Sequence, residues 1–294
     1  MSYPEAVIVD SVAIFQNQRR RLFLLAYNML GSRMDAEDVL QDAFLRWQGV
    51  DLESIRVPEA WLTTAVTRLA LDRLRSAAHR REVYPGTWLP EPLLDEPSAE
   101  QREVLRSQLS LAFLCLLERL SPEERGVFLL REASGLSYRE IAGISDKSEP
   151  ACRQLMSRAR TTLHNRPMSP SKTDKQALRQ LVPKYLQAVR EGDEQALLGL
   201  LSQDAVLTSD GGGKAKAAIN PLNGVDRIVK FLLGLNRKVG IGQAMSLAVV
   251  NSETGIVLRE NGATVGICGF RCANDRIAEI YWVDNPDKLP QRTK

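Results

Sequence analysis

Apolar residues recur with a helical period over the first part of the chain and with a strand-like period near its end. From Val12 to Arg81 they repeat every three or four positions, which places them on one face of a helix. This spacing predicts three helices. The first ends at Gly31-Ser32, the second begins at Asp35 with acidic residues in its first turn, and the third begins after Pro58.

A second helical pattern runs from Leu136 to His164. Ser137 and Glu140 form a capping box that begins one helix, and Ser148 is the N-cap of another helix that has Pro150 in its first turn. The turn between them contains Ser145-Asp-Lys. The predicted buried stripe of the second helix is Cys152, Leu155, Met156, Ala159 and Leu163.

The other face of this second helix is basic. Residues 148–166 contain four arginines and one glutamate, a net charge of +3. Guanidinium, amide and hydroxyl groups are the groups that read base edges and phosphates in a major groove. The pattern therefore indicates a DNA-reading helix, and an ordinary helical hairpin with a solvated basic face is the alternative. The face carries Arg153, Ser157 and Arg160, flanked by Gln154, Arg158 and Thr161.

The third helix, after Pro58, becomes basic towards its end. Aromatic and hydroxyl side chains beside arginines are typical of a surface that stacks and pairs with a nucleic-acid single strand. A three-helix bundle whose charges are merely solvated is the alternative. The residues concerned are Trp61, Thr64, Thr67, Arg68, Arg73 and Arg75.

A proline-rich acidic segment from Tyr84 to Glu103 reads as an extended linker, because it holds four prolines and five acidic residues against one arginine. Trp88 and Leu89 are unusual in such a polar segment, and we expect them to dock on another surface. After the linker, a long helix through residues 109–120 is predicted. Pro167 to Ser171 forms a second linker.

The last part of the chain combines helices with alternating runs. Helices first and antiparallel strands afterwards indicate an α+β layer. The predicted helices are Gln176–Arg190, Glu194–Leu201 and Val225–Leu235, and the predicted strands are Ala244–Asn251, Gly255–Arg259, Thr264–Cys272 and Arg276–Val283.

Composition narrows the class of protein. A hydrophobic content of 44% and a charged content of 26% are those of a globular protein, and the net charge of +3 requires any nucleic-acid surface to be local. No apolar run reaches the ~20 residues that span a bilayer, and the N-terminus lacks a signal-peptide pattern, so we expect a cytoplasmic location without membrane contact. The four cysteines lack metal-site spacing and are predicted to be buried thiols; no metal or cofactor is expected.

Two blocks of the sequence resemble a known family. Tyr27–Trp47 and Trp61–Arg81 resemble region 2 of the extracytoplasmic-function (ECF) group of sigma-70 factors, and Leu120–Leu163 resembles region 4. The part after Ser171 is similar to the SnoaL-like, NTF2-like cone fold, which marks a subgroup. Its motifs are matched by Trp88-Leu-Pro-Glu-Pro, Asp210-Gly-Gly-Gly-Lys214 and Asn285-Pro-Asp-Lys-Leu289.

The resemblance implies a multidomain fold class. Two all-α sigma domains would be followed by an α+β NTF2-like (SnoaL-like) cone domain; the first is a three-to-four-helix region 2 and the second is the region 4 helix-turn-helix. The implied limits are 10–82 for region 2, 83–103 for the acidic linker, 104–166 for region 4 and 172–294 for the cone domain.

The resemblance also implies partners and roles. Core RNA polymerase, through its clamp helices, would contact Asp35, Asp38, Gln41 and Phe44. The −10 promoter element would contact the third-helix residues named above. The −35 element would contact Ser148, Arg153, Gln154, Ser157, Arg158 and Arg160. The fused domain would regulate these regions in place of a separate anti-sigma factor, through Trp88, Asp210, Lys214, Asn285 and Asp287.

The alternative is a helix-turn-helix regulator fused to a ligand-binding or enzymatic cone domain. We do not expect an enzyme, because both histidines lie outside the cone domain and catalysis would require a buried carboxylate of raised pKa. The candidates would be Asp204, Asp210, Asp284 and Tyr281. The Asp210 motif lacks the spacing and hydroxyl of a phosphate-binding loop, so a turn at a domain contact is preferred.

Overall fold

The chain folds into two compact units. The computed structural model describes residues 5–94, 109–164, 172–215, 217–236 and 243–290, with side chains omitted at 5–10, 53, 77–82, 172–173 and 236. Within these ranges the first unit holds residues 5–82 and 116–164, and the second holds 83–94, 109–115 and 172–290. The end of the predicted linker, residues 95–103, lies outside the described residues.

The first three helices agree with the predicted pattern. They are α1 (Glu5–Leu30), α2 (Arg33–Gln48) and α3 (Pro58–Glu82). The Ser32 side chain caps α2 by accepting from the amide of Asp35. The apolar residues that repeat with helical spacing near the end of α1 are buried: Leu22, Leu25, Ala26, Met29 and Leu30.

Four shorter helices follow: α4 (Leu111–Leu117), α5 (Pro122–Glu132), α6 (Tyr138–Ser145) and α7 (Glu149–Thr162). The long helix predicted through residues 109–120 is wrong for this stretch, because α4 has only 7 residues. Ser110 precedes it, and its hydroxyl accepts from the amide of Phe113 at 3.2 Å, as an N-cap does.

Helices α6 and α7 form the predicted helix–turn–helix. The capping box of Ser137 and Glu140 is present, and Ser148 caps α7. The turn between the helices contains no glycine, and Asp146 instead adopts the left-handed conformation with φ of 53°. Cys152, Met156, Ala159 and Leu163 are buried as predicted, whereas Leu155 is half-buried.

Helix α5 packs against α1 and α3 inside the same unit. Arg125 is 1% exposed, donates to the backbone oxygen of Asn28 at 3.1 Å and forms an ion pair with Glu118. Gly126 lies against Leu71, where an added Cβ would come within 2.7 Å of a Leu71 methyl carbon. The close approach of α5 to α3 therefore depends on a residue without a side chain.

The second unit combines three helices with a six-stranded sheet. The helices are α8 (Lys172–Glu191), α9 (Glu194–Leu200) and α10 (Val225–Asn236). The strands are β1 (Leu201–Asp210), β2 (Leu222–Asn223), β3 (Gln243–Val250), β4 (Glu253–Glu260), β5 (Ala263–Ala273) and β6 (Arg276–Val283). The sheet order is β2-β1-β6-β5-β4-β3.

The predicted set of strands is incomplete, because β1 and β2 were not predicted. Strands β3 to β6 pair antiparallel as predicted, but β1 pairs with β6 in parallel, so the sheet is mixed. Strand β1 has an irregularity between Leu201 and Val206 that interrupts the alternation of apolar and polar residues. This interruption explains why the period-two pattern did not predict it.

The sheet has an apolar cluster on each face. One cluster joins α8, α9 and α10 to the strands through residues such as Tyr185, Ile228 and Phe270. The other contains the strand residues Val257, Ile267, Tyr281 and Val283 together with residues from earlier in the chain. These earlier residues are Leu89 of the linker and Leu111 and Ala112 of α4.

The cysteines are free thiols, and Cys152, Cys268 and Cys272 are buried while Cys115 is half-buried. In the part of the chain that the structure describes, no helix is both long and apolar enough to cross a membrane. Among the same residues, no group of three or more His, Cys, Asp or Glu side chains is placed to hold a metal ion.

Candidate functional site

Helix α7 presents an exposed basic face. Two of its arginines form surface ion pairs: Arg153 with Glu149 at 2.8 Å and Arg160 with Glu132 at 2.8 Å. Arg153 also lies over the ring of Tyr138, with its guanidinium carbon 5.0 Å from the ring centroid. Surface pairs contribute at most about 1 kcal/mol, so a phosphate can replace them. The exposed residues of this face include Arg153, Gln154, Ser157, Arg158 and Arg160.

The basic residues of α3 have partners within the first unit. Arg68 donates to the backbone oxygens of Gly143 at 2.8 Å and Ile144 at 3.0 Å in α6. Arg75 pairs with Glu123 of α5 at 3.0 Å. Two residues predicted to contact the −10 element are thus bonded to α6 and α5.

The aromatic and hydroxyl residues predicted beside them are less accessible than expected. Thr67 is 0% exposed, so its prediction as a nucleic-acid contact is wrong in this conformation. It follows Thr63 by one helical turn and precedes Ala70, and all three side chains lie in the buried stripe of α3. Trp61 is half-buried, 5.3 Å from the ring of Trp47, and Thr64 donates to the oxygen of Ala60.

A groove of about 500 Å³ lies beside this surface, between α1, α3 and α6. Thr64 lines it together with Arg21, whose guanidinium donates to the hydroxyl of Thr63 at 2.6 Å. Leu136 and Ile144 of the helix-turn-helix region supply part of its apolar lining.

The predicted polymerase surface on α2 is partly bonded and partly exposed. Arg73, expected to bind DNA, instead pairs with Asp35 at 2.7 Å and Asp38 at 2.5 Å. Gln41 is exposed, whereas Phe44 is half-buried, 4.8 Å from the ring of Phe15.

Two apolar residues of α2 extend this surface beyond the predicted contact residues, and the sequence pattern places the second, Leu45, near the surface. Met34 is 71% exposed and Leu45 is 59% exposed. They extend the exposed stripe of Asp38 and Gln41 at helical spacing, and such large exposed apolar side chains are typical of an interaction surface. The spacing was available in the sequence, but their exposure depends on which face α2 turns to its neighbours.

In the second unit, a buried carboxylate joins the linker to the end of the sheet. The side chain of Asp210 is 0% exposed. It accepts from the hydroxyl of Tyr84 at 2.6 Å and from the amide of Leu89 at 2.8 Å, both in the linker. Lys288 donates to it at 2.7 Å and to the backbone oxygen of Leu89 at 2.6 Å. We call these residues, with Trp88 and Asn285, the linker-docking site.

Trp88, which the sequence predicted as a regulatory residue, contributes its indole ring to the linker-docking site. The ammonium nitrogen of Lys288 lies 4.0 Å from the ring centroid of Trp88 and 4.9 Å from that of Tyr84, which are cation–π distances. Burial, followed by the bond to Asp210, raises the pKa of Tyr84, so its hydroxyl remains a donor at neutral pH.

Asn285 and the glycine loop complete the site. The Asn285 amide donates to the hydroxyl of Tyr84 at 2.7 Å. Gly212 has a φ of +59°, and a Cβ there would lie 2.3 Å from Asn285, so only glycine fits this turn without displacing the amide. Lys214 and Asp287 form an exposed pair at 2.5 Å on the surface nearby.

Tyr84 and Lys288 were missed as site residues by sequence reasoning. Lys288 lies inside the Asn285–Leu289 motif, which is the signal that could have identified it. A lysine is almost never buried without a partner, and nothing local in the sequence pairs it with Asp210, 78 positions earlier.

Among the residues named as catalytic candidates, Asp284 and Asp210 are neighbours, with the amide of Asp284 donating to the backbone oxygen of Asp210 at 2.9 Å, and each carboxylate has its own partners. The Asp284 carboxylate accepts from the indole of Trp282, and burial raises the pKa of Asp284 to about 7. Tyr281 donates to Glu279, while Asp204 is exposed on β1. Asp210 is engaged in the linker-docking site.

Comparisons with known proteins cover most of the chain. The profile described as Sigma-70 region 2 matches residues 14–80, and that described as Sigma-70, region 4 matches residues 110–163. The ECF RNA polymerase sigma factor SigJ of Mycobacterium tuberculosis is 39% identical over 293 residues, covering 95% of this chain and 93% of SigJ. The probable ECF sigma factor SigI of the same species is 33% identical, covering 64% of this chain and 66% of SigI.

A solved structure agrees with these matches. The crystal structure of Mycobacterium tuberculosis SigJ superposes with a TM-score of 0.77 at 32% identity, covering 96% of this chain and 100% of that chain. The predicted two all-α sigma domains followed by an α+β domain are confirmed. The chain therefore belongs to the extracytoplasmic-function group of sigma-70 factors.

Proposed function

We propose that this sigma factor directs core RNA polymerase to promoters through α7 at the −35 element and α3 at the −10 element. The exposed face of Arg153, Gln154, Ser157 and Arg158 supports the first contact, since these groups suit base edges in a major groove. Arg68 and Arg75 are proposed for the second contact, and they must exchange their bonds to α6 and α5 for phosphates. Trp61 and Thr64 lie beside them.

For core polymerase, we propose the exposed stripe of α2 as the contact. Gln41 and Asp38 supply polar groups, and Met34 and Leu45 supply apolar area. Arg73 holds the neighbouring Asp35 and Asp38 in place, so its role is positioning rather than DNA contact.

We further propose that the C-terminal domain modulates the sigma regions in place of a separate anti-sigma factor. The observation that carries this proposal is the buried Asp210–Lys288 pair, which bonds directly to the linker at Tyr84 and Leu89. The linker is the segment between the two proposed DNA-binding regions. A domain that binds the linker can therefore control how the two regions are arranged.

Run-off transcription with core polymerase tests both parts. Full-length protein is used with a promoter selected from a random library, and core-dependent transcripts from a fixed start are expected. An Asp210→Asn variant should change the yield, because its weakened acceptor loosens Tyr84 and Leu89. Asp287→Asn is the matched control, since its pair with Lys214 is exposed.

The same assay separates the alternative function. A helix-turn-helix regulator would shift promoter DNA without polymerase and would give no core-dependent transcripts. Equal yields from wild type, Asp210→Asn and Asp287→Asn would remove the modulatory role while leaving the sigma activity in place.

A further inference from the structure

One buried asparagine contacts the chain on both sides of the acidic part of the linker. Asn251 lies in the turn between β3 and β4 and is 0% exposed. Its side-chain oxygen accepts from the amide of Leu93 at 3.0 Å, and its side-chain nitrogen donates to the backbone oxygen of Leu109 at 3.4 Å. Its own amide donates to the oxygen of Leu93 at 2.9 Å.

Neighbouring contacts support the same arrangement. Leu94 forms an antiparallel bridge with Val250, the residue before Asn251. On the sheet face below, Leu111 packs in the cluster that also contains Val250 and Val257. Asn251 thus links the last described linker residues to the segment that begins α4.

These bonds shorten the reach of the chain between the two sigma regions. Leu93 and Leu109 are sixteen positions apart and could span about 55 Å if extended. Held by one amide group, their bonded backbone atoms lie within about 9 Å of each other. The −10 and −35 elements are about 25 base pairs apart, or about 85 Å of B-form DNA. The two bonds therefore withhold about 45 Å of the reach that this segment would have if extended.

We propose that Asn251 is a positioning residue that restrains the separation of regions 2 and 4, and that its side-chain bonds to Leu93 and Leu109 open when the protein engages a promoter. This inference rests on the proposed sigma function and adds a restraint distinct from the linker-docking site. Asn251 contacts neither Asp210 nor Lys288 in the described hydrogen bonds.

The backbone at Asn251 allows a clean test. Its φ is 48°, a left-handed conformation that glycine adopts without strain. Asn251→Gly therefore removes the side-chain bonds and retains the turn. Asn261→Gly is the matched control, because Asn261 has a φ of 50° in the β4–β5 turn and an exposed side chain.

Two measurements on the full-length protein are needed. Amide exchange at Leu93 should become about tenfold faster in Asn251→Gly, the effect of losing about two neutral hydrogen bonds. Run-off transcription with core polymerase should rise about fivefold or more. Asn261→Gly should match wild type in both. Should Asn251→Gly fail to fold, the isosteric Asn251→Asp removes the donor to Leu109 alone and should raise transcription in the same direction.

The outcomes separate this inference from the function it rests on. Unchanged exchange at Leu93, or faster exchange with unchanged transcription, overturns the role of Asn251. If wild type gives no core-dependent transcripts, the sigma function fails, and the exchange data still decide whether Asn251 holds the linker.

Discussion

At the residue scale, the solvent exposure of an ion pair determines how much the pair contributes to the free energy of unfolding. Asp210 is 0% exposed and Lys288 is 11% exposed, whereas Lys214 and Asp287 are 57% and 62% exposed. Removing one partner of a buried pair leaves an unsatisfied charge out of water, which costs about 3–5 kcal/mol. An exposed pair contributes about 1 kcal/mol or less.

We therefore expect Lys288→Met to lower the free energy of unfolding by about 3–5 kcal/mol. Methionine keeps most of the side-chain length but cannot bond to Asp210 or to the oxygen of Leu89. Urea unfolding followed by tryptophan fluorescence measures the change. Lys214→Met, the exposed control, should lose about 1 kcal/mol at most; equal losses in the two variants would contradict the assigned burial.

A second residue-scale prediction concerns Glu253, the first residue of β4. Burial raises the pKa of Glu253 to about 7, while Lys175 lowers it and Asp174 raises it. Since the unfolded carboxyl titrates near 4.3, the folded protein keeps this proton when the unfolded chain has lost it. This contribution to stability is complete below about pH 4 and is lost as the pH rises to about 7.

Glu253→Gln removes this dependence. The variant should match wild type at pH 4 and exceed it by about 1–3 kcal/mol at pH 8, because no buried carboxylate must ionise. Unfolding midpoints across that range give the comparison. Glu260→Gln, at the other end of β4, is the control and should parallel wild type. A Glu253→Gln curve parallel to wild type would show that Glu253 is hydrated.

At the scale of elements, helices with clear caps were predictable because caps and period-3.6 stripes are local, whereas the extent of α4 was not. Ser137 with Glu140 and Ser148 with Pro150 predicted the first residues of α6 and α7 to within one residue. Strand β1 was not predictable, because its irregularity between Leu201 and Val206 disrupts the pattern and its partner β6 follows about seventy residues later. The Asp210–Lys288 bond was also not predictable, because its two residues lie 78 positions apart in the sequence.

The solvent exposure of each side chain determines which residues of α3 and α7 remain candidates for contact with nucleic acid. Thr67 has the residue type expected of a nucleic-acid surface, but it lies in the buried stripe of α3. On α7, Gln154, Ser157 and Arg158 are exposed and remain predicted base contacts.

Arg158→Ala should reduce promoter-specific transcription by about tenfold, as expected when a bidentate contact of about 1–3 kcal/mol is lost. Its thermal stability should be unchanged, since the side chain is exposed. Run-off transcription on promoters with intact and scrambled −35 elements measures the effect.

Arg158→Lys distinguishes base reading from phosphate contact. Lysine keeps the charge but not the planar fork, so it should restore phosphate binding and fail to restore base discrimination. Equal transcription by Arg158→Ala and wild type on the intact promoter would exclude Arg158 from the interface.

At the scale of the whole molecule, one segment that belongs to sigma region 4 in the sequence packs with the C-terminal domain in the structure. The match to sigma region 4 begins at residue 110, yet residues 109–115 pack with the sheet of the C-terminal domain. Family motifs could not reveal this, because Leu111 and Ala112 read as ordinary helix-core residues. Gly269 of β5 makes room for Leu111, whose methyl carbon would lie 2.9 Å from an added Cβ.

A chain ending at Ser171 should therefore expose apolar surface. Leu89, Leu111 and Ala112 lose their contacts with Val257 and the rest of the sheet cluster. Each leucine forfeits about 1.5–3 kcal/mol of burial. The truncated protein should bind a hydrophobic dye, unfold less cooperatively than the full chain and give less transcript with core polymerase.

A matched variant tests whether exposed Leu89 and Leu111 cause the dye binding of the truncated protein. In the truncated chain, Leu89→Gln with Leu111→Gln replaces two exposed apolar side chains by polar ones and should reduce dye binding towards that of the full-length protein. Dye fluorescence and size-exclusion chromatography report the change. A truncated protein that stays monomeric, binds no dye and transcribes like the full chain would show that region 4 completes its core without the C-terminal domain.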